Sequence, residues 1–121
     1  MKKHRAILLA FLATLVLTTT VFAASKSFYV NGGNCVAQLS RTHTGATAAT
    51  YGATPDYYCY VDVTVYYTCN GHTSHKIESR GNFGEVHITA NTPCGTGAFS
   101  ANSNHRADAP NGQSGYATLS E

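Results

Sequence analysis

The sequence predicts an all-β protein, a small antiparallel β-sandwich of about seven strands, stapled by disulfides and preceded by a signal peptide. Three observations predict it. Side chains alternate with period two from Tyr57 to Cys69, turn residues recur between short strand-like runs, and four cysteines follow an export leader.

The leader comes first. Lys2, Lys3, His4 and Arg5 form a positive start, Ala6 to Leu17 is apolar apart from Thr14, and Val21-Phe22-Ala23 supplies the modest side chains read before a cut. Cleavage is expected after Ala23, giving a signal peptide over 1–23 and one β-sandwich domain over 24–121. A bilayer anchor needs roughly 20 apolar residues, so this shorter run predicts no stable membrane span and a secreted, extracellular product.

Removing the leader also removes three of the eight basic residues. Lys26, Arg41, Lys76, Arg80 and Arg106 then stand against Asp56, Asp62, Glu78, Glu85, Asp108 and Glu121. The net charge of +2 belongs to the precursor. A near-neutral mature chain points away from a nucleic-acid partner.

The strands follow in order. Ser27 to Val30 and Cys35 to Ser40 flank Asn31-Gly32-Gly33-Asn34, a composition suited to a hairpin turn with positive φ. Ala46 to Tyr51 adds a strand. From Tyr57 to Cys69, Cys59, Val61, Val63 and Val65 take one face, expected to be buried, and Tyr58, Tyr60, Asp62, Thr64 and Tyr66 take the other. His75 to Arg80 and Glu85 to Ala90 flank Gly81-Asn82-Phe83-Gly84 and read as a second hairpin. Ala98 to Ala107 and Tyr116 to Ser120 complete the set, and Pro55, Pro93 and Pro110 all fall between strands.

Cys35, Cys59, Cys69 and Cys94 in an exported chain read as two disulfides. Cys59 and Cys69 lie at opposite ends of one strand, about 33 Å apart at 3.3 Å per residue, too far to bridge. An up-and-down path favours Cys35 with Cys59 and Cys69 with Cys94.

Few constellations suggest chemistry. His72 and His75 are weak candidates for a metal, with His43, His87 and His105 elsewhere in the chain; histidines on a polar β surface more simply face solvent. No Gly-x-Ser-x-Gly elbow, spaced carboxylate pair or phosphate-cradling loop is present, so no enzyme and no cofactor are expected. Tyr58, Tyr60 and Tyr66 share one face, and aromatic rings with polar tips suit sugar or peptide contacts.

Ala101-Asn102-Ser103-Asn104-His105-Arg106-Ala107, with the later Ser114-Gly115-Tyr116-Ala117-Thr118, resembles the end of small exported β-sandwich proteins of Gram-positive bacteria, including lactococcin-like bacteriocins. The resemblance implies a non-enzymatic protein acting at a cell envelope and carries over no catalytic residue. The expected function is extracellular recognition of a cell-surface partner, bacteriocin-like or envelope-associated. The alternative is a carbohydrate- or cell-wall-binding module using the tyrosine face. Edge strands of an open sandwich can also pair between copies, which leaves a homo-oligomer within reach.

Overall fold

The computed structural model describes residues 24–121. The leader and its cleavage position lie outside the described residues. Eight strands follow in chain order: β1 (Ala24–Val30), β2 (Gly33–Thr42), β3 (Gly45–Tyr51), β4 (Tyr58–Cys69), β5 (His72–Phe83), β6 (Glu85–Asn91), β7 (Ala98–Asp108) and β8 (Ser114–Ser120). They form two antiparallel four-stranded sheets, ordered β1-β2-β3-β6 and β5-β4-β7-β8, packed as a sandwich. No helix among the described residues is long and apolar enough to cross a membrane.

The turns explain the sheet assignment. Asn31 and Gly32 both have positive φ (51° and 74°) and join β1 to β2 in two residues, the mirror-image turn that matches strand twist. Asn70 and Gly71 (52° and 76°) do the same between β4 and β5. That turn starts β5 at His72, three residues before the sequence-based strand.

The expected hairpin across Gly81–Gly84 is not formed. Gly81 lies inside β5 opposite Tyr60, and the chain turns only at Gly84, where a φ of 81° sends β6 into the other sheet. A glycine inside a strand can mark close approach instead of a turn. Here the close neighbour is the Tyr58 ring, which occupies the space a Cβ at Gly81 would need.

The core follows the alternation. Cys59, Val61, Val63 and Val65 of β4 are fully buried and meet Leu39, Ala46, Ala48, Val86 and Ala90 of the opposite sheet. A second cluster at one end gathers Phe28, Val30, Cys35, Tyr57 and Ala107. Tyr57 precedes β4 and turns inward, its hydroxyl donating to the Val30 carbonyl at 3.0 Å, which satisfies the one polar atom of a buried ring.

One disulfide closes the other end: Cys69, the last residue of β4, joins Cys94 in the β6–β7 loop. The expected Cys35–Cys59 bridge is corrected, since both are buried free thiols. They approach from opposite sheets closely enough for the Cys35 thiol to act on Cys59, yet the Cys59 thiol donates to the Gly84 carbonyl at 3.5 Å and forms no bond to the second sulfur.

Candidate functional site

The outer face of the β5-β4-β7-β8 sheet collects the most varied exposed chemistry. Because Tyr58, Tyr60, Asp62, Thr64 and Tyr66 share one parity on β4, the register sets each beside an outward residue of both neighbouring strands. Tyr58 lies between Phe83 and Asp108, Tyr60 between Gly81 and Arg106, and Asp62 between Ser79 and Asn104. Across β8, Arg106 is paired with Tyr116, which is 70% exposed.

Specific contacts fix these side chains. The Tyr58 ring meets Phe83 edge-on at 5.2 Å, and the Arg106 guanidinium carbon stands 5.3 Å from the Tyr60 ring centre. Asp108 lies 3.3 Å from Arg106 Nε and accepts from the Ser114 hydroxyl at 2.7 Å, while Asn104 donates to Asp62 at 2.9 Å. Rings are therefore held beside a planar guanidinium, two carboxylates and an amide. Such a surface stacks on the apolar side of a ligand and hydrogen-bonds its edges.

The three tyrosines do share this face, but they do not form one cluster. Tyr66 is six residues beyond Tyr60, about 20 Å along the strand, and packs near His75 at 5.9 Å. The working cluster is Tyr58, Tyr60, Phe83, Arg106 and Tyr116. Sequence reading missed Phe83, Arg106 and Tyr116 because they sit on three other strands. Their outward parity is visible in sequence, whereas their adjacency depends on register.

Phe83 also borders an open cleft of about 380 Å³ lined by Tyr51, Thr54, Pro55 and Glu85. Burial, and then the nearby Glu85 carboxylate, push the Tyr51 hydroxyl pKa above its ordinary value. His87 meets Tyr51 edge-on at 5.3 Å and lies 3.6 Å from Glu85. The aromatic face thus continues around the sheet edge into a recess with a carboxylate at its rim.

The histidines do not converge. His72 and His75 have opposite parity on β5, and among the described residues no three His, Cys, Asp or Glu side chains gather to hold a metal. His105 departs from the expectation of a solvent-facing ring: it is 1% exposed, between the sheets. Its Nδ1 lies 2.8 Å from the Thr50 hydroxyl, and its Nε2 lies 2.6 Å from the Ser103 hydroxyl. Thr50 donates its single proton to the Tyr60 carbonyl at 3.0 Å, so it must accept from Nδ1–H, and Ser103 then donates to Nε2. Burial lowers the His105 pKa to about 4 against the opposing pull of Asp62 and the Ala49 carbonyl. A serine and an imidazole in this geometry resemble a nucleophile and its base, but the pair is sealed from any substrate.

No family model, curated protein or solved structure matches the chain.

Proposed function

We propose that this chain is a secreted, non-enzymatic recognition protein that works outside the cell through the outer face of the β5-β4-β7-β8 sheet, with surface or cell-wall glycan as its ligand. The observation that carries this reading is the juxtaposition of Tyr58, Tyr60, Phe83 and Tyr116 with Arg106, Asp108 and the Asp62–Asn104 pair on one face. Sugars offer the same alternation of apolar C–H faces and hydroxyl edges, and amphipathic aromatic rings suit both. Recognition rather than catalysis is supported by the burial of the Ser103–His105 pair. Export is supported by the leader and by the Cys69–Cys94 disulfide.

A glycan array that includes cell-wall polysaccharides tests the ligand class. Tyr60→Ala is expected to weaken any retained glycan tenfold or more while lowering the unfolding midpoint by no more than about 4–8 °C, the cost of about 1 kcal/mol for losing a strand-favouring ring that lies outside the core. Gly81→Ala, which must push Tyr58 off its seat, is expected to weaken the same ligand. The reading fails if no glycan is retained, or if Tyr60→Ala binds every glycan as the parent does. Growth inhibition of neighbouring cells without glycan binding favours the bacteriocin-like role instead.

A further inference from the structure

β5 is an edge strand: β4 pairs with one side, and no strand among the described residues pairs with the other. Ten of its twelve residues are exposed, on both faces. Its middle reads Lys76-Ile77-Glu78. Lys76 and Glu78 share the inward parity and lie 3.6 Å apart, while Ile77 points outward and is 57% exposed.

An unpaired edge is a template for another strand, and inward-pointing charges ordinarily guard it. On β5 the guards carry opposite signs two positions apart, which alters the outcome for a copy of the same strand. In an antiparallel pair with a two-fold axis through Ile77, Lys76 faces Glu78 of the second copy and Glu78 faces Lys76 of the second copy. Ile77 meets its own image on the outer face. Moving the axis to Lys76 or to Glu78 sets like charges opposite each other, which destabilises the pair. Moving it to Ser79 sets Glu78 against Arg80 but leaves Ile77 facing Gly81, without the apolar contact.

We propose that the chain forms a homodimer by antiparallel β5–β5 pairing about Ile77, with Lys76 and Glu78 of each copy set against Glu78 and Lys76 of the other. The contact is isologous, as a closed two-fold dimer requires. It joins two four-stranded sheets into one of eight and sets two outer faces side by side, so a repetitive ligand meets two recognition surfaces at once. The pairing itself does not depend on what that face binds.

Sedimentation equilibrium on the purified protein tests it. The parent is expected to show a concentration-dependent dimer. Lys76→Glu alone and Glu78→Lys alone are each expected to weaken it about tenfold or more, because symmetry places two like-charge pairs across the axis. An equimolar mixture of the two variants is expected to dimerise as the parent does, since the acid-only copy then faces the base-only copy. The double variant Lys76→Glu/Glu78→Lys is expected to recover the homodimer. Unchanged circular dichroism and unfolding midpoints show that these exposed substitutions leave the fold intact. A parent that stays monomeric at all concentrations, a dimer that both single variants leave intact, or a weakening that mixing does not reverse each overturns the proposal.

Discussion

Ser103 donates its hydroxyl to Nε2 of His105 at 2.6 Å in the interior of the sandwich, on the same inward row of β7. With Thr50 on the other ring nitrogen, both sides of the imidazole are satisfied by neutral partners. That arrangement suits an uncharged ring. A proton added to Nε2 finds a hydroxyl already serving as donor and no carboxylate in contact.

This predicts how stability depends on acid. Folding lowers the His105 pKa from 6.5 to about 4, so between those values the unfolded chain binds a proton that the folded chain refuses. The His105 contribution is complete above the unfolded pKa and is lost as pH falls through that window, reaching about 3 kcal/mol near its lower end. Urea unfolding of the parent is expected to weaken from pH 7 to pH 4, and His105→Gln to remove most of that slope. An equal slope in the variant would place the effect elsewhere.

The buried thiols are expected to be inert in the folded protein. Burial, followed by the proximity of Cys35, pushes the Cys59 pKa up to about 11, and burial also raises that of Cys35. Neither forms much thiolate near neutrality, and neither is exposed. A disulfide-based thiol reagent is expected to label none of the described cysteines in the native protein and two per chain in denaturant without reductant. Rapid native labelling counts against the burial, and no labelling in denaturant means the two sulfurs are joined.

Reducing Cys69–Cys94 is expected to cost about 3–4 kcal/mol, from the chain entropy released when a loop of this length opens. The bridge spans 25 positions and ties the end of β4 to the loop that leads into β7. Chemical unfolding with and without reductant measures the difference. A change under about 1 kcal/mol would mean that the backbone bonds around it, such as Thr68 N–H to the Gly97 carbonyl at 3.0 Å, already hold this end.

Much of the sandwich is legible in the sequence because β4 states its own burial. Cys59, Val61, Val63 and Val65 alternate with polar and aromatic residues, and that length of extended chain also separates Cys59 from Cys69. That exclusion leaves Cys69 to pair with Cys35 or Cys94; the bridge is to Cys94, but the up-and-down path that favours it is not the one the strands follow, since β3 neighbours β6 and β4 neighbours β7. Other features depend on partners that no local pattern names. Gly81 reads as a turn residue, yet it lies within a strand under the Tyr58 ring. His105 sits on a row with Ala101, Ser103 and Ala107, too small and polar to announce an inner face. Its burial is decided by β3 of the opposite sheet, whose Thr50 packs against the ring. The candidate site is half legible for the same reason: Tyr58 and Tyr60 show on one strand, whereas Phe83, Arg106 and Tyr116 join them only through the registers of β5, β7 and β8.

The two Asn-Gly corners also set an order of assembly. The β1–β2 and β4–β5 ribbons close on neighbouring residues and can zip within microseconds. The Tyr58–Asp108 and Gly45–Asn91 pairs must find each other across roughly half the described residues, a search that slows folding. The slow event is then the meeting of finished ribbons with late-arriving strands, and the Cys69 sulfur waits unpaired until the loop after β6 delivers Cys94. When the reduced protein refolds with oxidised glutathione as the electron acceptor, a brief pulse of alkylating reagent at the start should capture both Cys69 and Cys94, and the same pulse given late should capture neither.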